Sequence, residues 1–288
     1  MNEPKSHIDP EKQHQQLLNV SIVRYEQDFE TIASLVRTIS SSAVVKSIYL
    51  IDNSKYYNEQ FETLPVHYIK TQKNIGYGRA HNIALRKTLE EDVPYHLVVN
   101  PDVELNANHL SNIVLYLMEN PSVGALMPKI FYPDGNLQYL CKLLPTPFDL
   151  INKRFFPKKW FKRRSDLFLL KHFDYQTTLN IPYLSGCFMV LSMTAIKKSG
   201  FFDERFFLYP EDIDLSRRIH EHFQTCFFPE VSIIHRHEQG SYKNFRLLMI
   251  HIVNMIRYFN KWGWFFDKQR KKFNQETLQQ INQLEHQK

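Results

Sequence analysis

Hydrophobic positions along the first hundred residues alternate between short continuous runs and helical spacing. The runs are rich in β-branched residues, as is typical of buried strands. The predicted strands are Leu17–Val23, Val44–Ile51, Val66–Ile69 and Tyr95–Val99. Between them, apolar residues three and four positions apart predict helices over Phe29–Ile39 and Asn82–Leu89. This alternation predicts an α/β fold with a Rossmann-like, mostly parallel central sheet flanked by helices.

The pattern is less regular after the fourth strand. The stretch 144–180 mixes proline, basic and aromatic residues, and we expect it to be an insertion. Further predicted elements are a helix at Leu110–Met118, strands at Tyr183–Leu191 and Val231–Ile234, and a helix at Arg246–Phe259 with a polar, frayed tail after it. We therefore expect a disordered extension over 1–16, one domain over 17–245 and a C-terminal helical tail over 246–288.

Composition narrows the class of protein. The 288 residues suffice for one α/β domain, and three widely spaced cysteines argue against a disulfide scaffold. No apolar run is long enough for a membrane span, so we expect a cytoplasmic protein. The net charge of +6 comes from one segment, Ile151–Arg164, which has seven Lys and Arg residues and no acid. Because the rest of the chain is close to neutral, the charge does not predict nucleic-acid binding.

Two predicted strands are each followed at once by a short polar motif with an acid. Asp52 follows the second strand, and Asn100-Pro101-Asp102 follows the fourth. In parallel sheets, ligands bind beyond the carboxyl ends of the strands. There Asp52 can accept the ring N–H of a uracil or thymine. Asp102, helped by Asn100, can ligate a divalent cation on a leaving diphosphate. An ordinary turn explains either motif about as well.

The segment Asn74–Asn82 contains the first two glycines of the chain, Gly76 and Gly78, just before a predicted helix. Glycines in such a place let the backbone approach a phosphate or a ribose and present N–H groups to it. The spacing is not that of a dinucleotide-binding motif, which would follow the first strand. Arg79 lies in this segment and could contact the donor, or it could be an ordinary surface residue.

Three acids lie within four residues in the segment Tyr209–Arg218. An inverting sugar transfer needs a carboxylate that takes the proton of the attacking hydroxyl. We predict Asp212 as this base, with Glu211 in support. A purely structural acidic first turn of a helix is the alternative. Further along, His235 follows an apolar strand and can complete a metal or diphosphate site.

Together these motifs resemble glycosyltransferase family 2, and within it the rhamnosyltransferase-like enzymes of O-antigen and capsule synthesis. The resemblance covers roughly the chain from Asn19 to Tyr258. The residues that carry it are Val20–Val23, Asp52–Ser54, Asn74–Gly78, Asn100–Asp102, Ser185-Gly186, Gly200–Glu204, Glu211-Asp212, Asp214-Leu215, His235 and Ser241. It implies a GT-A fold, a nucleotide-sugar donor and Mg²⁺ or Mn²⁺ as cofactor.

Carried over by position, the resemblance makes Asp52 the reader of the base, Asp212 the general base, and Asp102 and His235 the metal ligands. His237 is an alternative to His235. The residues expected to bind the nucleotide-sugar are Tyr25, Glu26, Asp52, Asn74, Gly76, Gly78, Arg79, Asn82, Asn100, Asp102 and Gly186. There are two departures. The first strand runs into Arg24-Tyr25-Glu26, where the family usually has Thr-Tyr-Asn, and Asn100 stands where many relatives have aspartate.

The resemblance further implies an inverting transfer from a UDP- or dTDP-sugar, with dTDP-L-rhamnose as the best candidate. The expected acceptor is a hydroxyl of an undecaprenyl-diphosphate-linked glycan. Basic and aromatic residues over 151–164 suit a peripheral contact with the inner face of the plasma membrane. Two alternatives stay open. One is a catalytically silent sugar-nucleotide-binding protein. The weaker one is a sugar nucleotidyltransferase, which would need a glycine-rich loop after the first strand.

Overall fold

The computed structural model describes residues 16–149, 162–236 and 245–286. Three sequence predictions therefore fall wholly or mostly outside the described residues: the disordered extension over 1–16, the membrane contact over 151–164, of which only 162–164 are described, and the alternative metal ligand His237.

Nine strands form one sheet in the described part of the chain. They are β1 (Leu18–Arg24), β2 (Val45–Asp52), β3 (His67–Lys70), β4 (Tyr95–Val99), β5 (Val103–Glu104), β6 (Val123–Phe131), β7 (Leu179–Asn180), β8 (Phe188–Ser192) and β9 (Gln224–His235). Their order is β3-β2-β1-β4-β8-β6-β9-β5, and β7 pairs with β9. Strands β3, β2, β1 and β4 are parallel to one another, as is the pair β6 and β9, whereas β8 is antiparallel to both of its neighbours. The mixed sheet confirms the predicted α/β class.

Helices cover the sheet and continue past it. They are α1 (Phe29–Ser40), α2 (Tyr77–Glu90), α3 (Ala107–Glu119), α4 (Lys162–Phe168), α5 (Met193–Ser199), α6 (Glu211–His220), α7 (Phe245–Trp262) and α8 (Lys268–His286), with a 3₁₀ turn at Glu59–Thr63. The core lies between the sheet and these helices, where Ile22, Leu50 and Leu97 are fully buried.

Several element boundaries differ from the prediction for physical reasons. Helix α2 begins at Tyr77 rather than at Asn82, because Gly76 caps it with a φ of +93°. Strand β6 was not predicted, since its run is interrupted by Pro128. The predicted strand Tyr183–Leu191 is a strand only in its second half.

The C-terminal tail is also different. It was predicted to be frayed, but it forms helix α8, whose Phe273, Thr277 and Ile281 are buried on one face. These three residues are four positions apart, so they line up along one side of the helix and pack against the domain.

Candidate active site

The motif Asn100-Pro101-Asp102 lies directly past the end of β4, where three strands meet. The Asn100 N–H donates to the carbonyl of Cys187, 2.9 Å away, just before β8. Strand β5 pairs with the end of β9, in a register that places Val103 opposite His235. As a result His235 Nε2 lies 3.4 Å from Asp102 Oδ1 and 3.4 Å from Asn100 Nδ2.

His235 is held in this orientation by Gln138. Its Nδ1 lies 3.1 Å from Gln138 Oε1, and Gln138 Nε2 donates to the His235 carbonyl at 2.7 Å. Both side chains are buried. Burial by itself lowers the pKa of His235, but its hydrogen bonds to Asp102 and Cys187 raise that pKa to about 10. A cation that binds both Asp102 and His235 would therefore replace a shared proton.

These residues have the chemistry of a small divalent-cation site. Among the described residues, no three His, Cys, Asp or Glu side chains are placed to hold a metal ion together. Two ligands on one cation, each at about 2.1 Å, are at most about 4.2 Å apart. The 3.4 Å between Asp102 Oδ1 and His235 Nε2 fits this limit. Magnesium-type sites commonly use one or two protein ligands, with water and substrate phosphate supplying the rest.

Tyr77, the first residue of α2, connects this motif to the other side of the site. Its hydroxyl lies 3.0 Å from Asn100 Oδ1 and 2.7 Å from the carbonyl oxygen of Gly186. The Gly186 N–H in turn donates to Asp212 Oδ2 at 3.1 Å. Burial raises the pKa of Tyr77 well above its usual value, and so do the nearby charges of Asp212 and Asp102. A continuous chain of polar contacts thus joins Asp102 to Asp212.

Asp212 and Glu211 form the first turn of α6, and their environments differ. Asp212 is half-buried and accepts from the N–H groups of Gly186 and Ile213. Burial raises its pKa, and the charge of Lys142 opposes that rise. Glu211 is buried, and its Oε2 has no hydrogen-bond partner among the residues that the structure describes. Burial, and then the charge of Asp212, raise the pKa of Glu211 well above its usual value. Glu211 is therefore the more readily protonated of the two.

The glycine motif packs against the loop that leads into α6. The Tyr77 N–H donates to the Phe207 carbonyl at 2.9 Å, and a Cβ on Gly76 would lie 2.5 Å from the same oxygen. Only glycine fits there, because φ is also positive. The Asn74 side chain accepts from the Gly76 N–H at 2.9 Å.

Two residues of this motif that were predicted to bind the donor contact the loop 200–210. Asn82 is fully buried, and its amide exchanges two hydrogen bonds with the Phe202 backbone, at 2.9 and 3.0 Å. Arg79 lies 3.3 Å from Glu204 and is half-exposed. Asn82 and Arg79 thus brace the loop 200–210 against α2.

Asp52 ends β2, and three groups surround its buried carboxylate. The Arg24 guanidinium lies 2.9 Å from Oδ1, the Ser54 N–H donates to Oδ1 at 2.8 Å, and the Tyr68 hydroxyl donates to Oδ2 at 2.7 Å. Burial by itself raises the pKa of Asp52, but these hydrogen bonds and the Arg24 charge lower it overall. Arg24 also stacks over the Phe61 ring at 4.4 Å.

Tyr25 and Glu26 lie beside this carboxylate at the end of β1. Tyr25 is exposed, whereas Glu26 has a φ of +66° and donates its N–H to Ser54 Oγ at 2.9 Å. The sequence had shown Arg24 only as a departure from the family pattern. Nothing in the sequence indicated Tyr68, because its hydrogen bond to Asp52 depends on how β3 pairs with β2.

The structure therefore joins five of the predicted residues in one network and adds others. Asn100, Asp102, His235, Gly186 and Asp212 belong to one network of polar contacts. The residues that sequence reasoning missed are Tyr77, Gln138, Lys142, Arg24 and Tyr68. Tyr77 stood inside the glycine motif, but nothing in the motif indicates where a tyrosine hydroxyl points.

Comparison with known proteins gives a family match and relatives of the chain. The family model described as "Glycosyl transferase family 2" matches residues 29–200. That range includes Asp52, Asn100, Asp102 and Gly186, but it ends before α6 and before His235. The chain is also 26% identical over 184 residues to an N-acetylglucosaminyl-diphospho-decaprenol L-rhamnosyltransferase of Mycobacterium tuberculosis. That match covers 59% of this chain and 58% of the relative, so the chain matches little more than half of that protein.

Solved structures share the fold at low sequence identity. One is GalNAc-T7 with UDP, GalNAc and Mn²⁺, with a TM-score of 0.56, 16% identity, and coverage of 76% of this chain and 42% of that one. Another is the mannosyltransferase PcManGT of Pyrobaculum calidifontis with GDP-Man and Mn²⁺, with a TM-score of 0.53, 15% identity, and coverage of 85% and 65%. Both are similar to this chain over most of its length, which confirms the predicted GT-A fold.

Proposed function

Because the chain belongs to glycosyl transferase family 2, we propose that it transfers one sugar, with inversion, from a nucleotide-sugar to a lipid-linked glycan. The proposed donor is a UDP- or dTDP-sugar, with dTDP-L-rhamnose first. The proposed acceptor is a hydroxyl on a polyprenyl-diphosphate-linked sugar, with undecaprenol as the lipid. The name of the mycobacterial relative, which contains both L-rhamnose and a diphospho-decaprenol, supports this choice.

One observation carries the proposal, namely the chain of polar contacts from Asp102 through His235, Asn100, Tyr77 and Gly186 to Asp212. Sugar transfer needs a cationic centre for the diphosphate and a proton acceptor for the attacking hydroxyl. The distance between these two groups must be about the length of one sugar. A rigid polar network that connects the two groups supports such a fixed separation.

Asp212 serves as the general base in this proposal. The acceptor oxygen forms a bond to the anomeric carbon while the bond from that carbon to the diphosphate oxygen breaks, and the acceptor proton passes to Asp212. Attack occurs opposite the leaving group, so the configuration inverts. Glu211 supports Asp212 in this proposal, and burial and the charge of Asp212 raise its pKa well above its usual value.

Asp102 and His235 would hold the divalent cation, Mg²⁺ or Mn²⁺, which would neutralise the charge that grows on the leaving diphosphate. Asn100 and Gln138 orient the His235 side chain. Asp52, whose pKa is lowered overall by Tyr68, Ser54 and Arg24, is the proposed acceptor for the ring N–H of the base, and donor binding would first have to uncover its fully buried carboxylate. Gly76 keeps the start of α2 close to the loop before α6.

The test uses the purified full chain with Mn²⁺, dTDP-L-rhamnose and a polyprenyl-diphosphate-linked N-acetylglucosamine. Release of dTDP is measured, and the glycolipid product is identified by mass spectrometry. Asp212→Asn should lower turnover by about 10²–10⁴-fold, while the thermal stabilisation by donor persists. The control is Asp166→Asn, a partly exposed residue paired with Lys171, which should keep full turnover.

Two outcomes would contradict the proposal. Unchanged turnover in Asp212→Asn would remove its role as base. Donor binding without any turnover in the natural chain, across a panel of UDP- and dTDP-sugars and acceptors, would favour the silent sugar-nucleotide-binding alternative.

A further inference from the structure

Helix α7 has an apolar face that the described protein leaves uncovered. Phe245, Met249, Val253 and Ile256 are all exposed, from 41% for Val253 to 76% for Phe245. At about 100° per residue these four side chains fall within about 80° of the helix circumference. They therefore form a single stripe along one side of the helix.

The rest of the same helix is already packed. Tyr258, opposite the stripe, and Phe259, beside it, are buried in a cluster with Phe273 of α8. The stripe is therefore not needed to attach α7 to the domain. Contiguous exposed apolar surface of this kind marks an interaction site in folded proteins.

Two more exposed aromatic residues follow α7 directly. Phe266 is 99% exposed and Phe265 is 68% exposed, in the short turn between α7 and α8. Both stand next to a tightly held backbone: the Gly263 N–H donates to the Phe259 carbonyl at 2.8 Å, and Gly263 has a φ of +99°. The turn thus presents two phenylalanine rings outward from a fixed support.

The exposed charge around this apolar surface is mostly basic. Residues 245–275 contain seven Lys and Arg residues and a single acid, Asp267. Of the seven, Arg270 is buried beside Asp267, Lys261 is paired with Asp203 and Asp214, and Lys272 lies 3.9 Å from Glu276. Asp267 is buried and paired with Arg217, so it contributes no exposed negative charge. Lys268, Lys271 and Lys272, directly after the two phenylalanines, are all exposed. An apolar stripe bordered by basic residues suits the interface of an anionic lipid bilayer.

We propose that this surface, formed by the α7 stripe, Phe265-Phe266 and the lysines that begin α8, docks the protein on an anionic lipid membrane. None of the described helices is both long and apolar enough to cross a bilayer, so α7 lies in the plane of the interface. The sign of the charge favours lipid over a second copy of the chain, because two copies of a basic face repel each other. The segment 150–161 has four basic residues and no acid, so its charge makes it as poorly suited as a second copy to cover this face.

The docking surface is fixed to the candidate active site. Trp262 Nε1 donates to Asp214 Oδ1 of α6 at 2.8 Å, and Asn254 Nδ2 donates to the Leu208 carbonyl at 2.9 Å. Docking would therefore hold the turn with Asp212 at a set height above the lipid. The inference stands apart from the proposed sugar transfer, since it depends on the surface of α7 alone.

The experiment is co-sedimentation of the full chain with vesicles of phosphatidylcholine, with and without phosphatidylglycerol, in the absence of sugar substrates. We expect binding only to the vesicles with phosphatidylglycerol, and weaker binding at high salt. The double variant Met249→Gln/Phe266→Gln should bind these vesicles at least about tenfold more weakly. Lys268→Glu/Lys271→Glu should lose the preference for anionic vesicles. All four positions are exposed, so the thermal unfolding midpoint should be unchanged, which shows that the variants fold.

The matched controls are Tyr56→Gln, an exposed aromatic residue outside this surface, and Lys198→Glu, an exposed lysine on α5. Both should bind vesicles as the natural chain does. Absence of binding by the natural chain would overturn the inference, and so would binding that the α7 and Phe266 substitutions leave unchanged. A concentration-dependent dimer that Met249→Gln/Phe266→Gln abolishes, without lipid binding, would also overturn it and identify a second copy as the occupant.

Discussion

Arg217 and Asp267 form a buried ion pair that connects α6 to the C-terminal helices. Arg217 Nη1 and Nη2 donate to the two oxygens of Asp267 at 2.7 and 2.6 Å, and the side chains are 1% and 2% exposed. The guanidinium also lies 4.0 Å from the Trp262 ring centre, and its Nε donates to Gln269 at 2.7 Å. The helix with Asp212 at its start is therefore fastened to the turn before α8.

We predict that Asp267→Ala lowers the free energy of unfolding by about 3–5 kcal/mol, because it leaves the Arg217 charge buried without a counter-charge. That is a large part of the roughly 5–15 kcal/mol that stabilises a typical domain. Urea denaturation followed by circular dichroism measures the change. The control is Asp166→Ala: its pair with Lys171 has a comparable distance of 2.8 Å but is about one-third exposed, so we expect a loss of about 0–1 kcal/mol.

The same substitution should affect function at temperatures where the variant is still folded. Loosening α6 moves Asp212 away from the Gly186 N–H, which it now meets at 3.1 Å, so turnover should fall more than donor binding. If Asp267→Ala costs no more than Asp166→Ala, the reasoning is refuted, because the pair would then contribute no more than an exposed one. Full turnover in a variant that is clearly destabilised would refute only the link to the active site.

Three further predictions concern the site itself. Gly76→Ala should weaken donor binding in a thermal-shift titration, because the added Cβ would lie 2.5 Å from the Phe207 carbonyl oxygen at a positive φ. Turnover should fall as pH is lowered through the raised pKa of Asp212, because the base is then protonated. Lys142→Met removes a positive charge that lowers this pKa, so the acidic limb of the kcat/KM profile should move to higher pH. Lys142→Arg keeps the charge and should leave the limb in place. EDTA should abolish dTDP release, and added Mg²⁺ or Mn²⁺ should restore it; full activity in EDTA would exclude a required cation.

The strands that place the site could be predicted from the sequence, because their apolar runs are long and end abruptly at polar residues. Asp52 and Asp102 are such ends, and the rule that ligands bind beyond parallel strands brought both to the same edge. The antiparallel course of β8 between β4 and β6 could not be predicted in this way. Local patterns carry no information on which distant strands pair.

Other parts of the site depend on contacts without a sequence signal. Gly186 acts through its backbone N–H and carbonyl, which every residue except proline possesses. Tyr77 and Gln138 act through hydrogen bonds that exist only once α2, β4 and β9 are assembled. Asn82 was assigned to the donor by its place in the motif, but its buried amide braces the Phe202 loop.

The C-terminal helices are part of the candidate site rather than an appendage to it. The family match ends at residue 200, before α6, so contacts outside the matched range help to position the helix with the proposed base, in addition to the Gly186 N–H that meets Asp212. Asp214 of that helix is held by Trp262 and by Lys261, and Arg217 is held by Asp267. The element that fixes the base thus also presents the uncovered apolar face of α7. A change of membrane contact and a change in the position of Asp212 would therefore be coupled mechanically through these buried bonds.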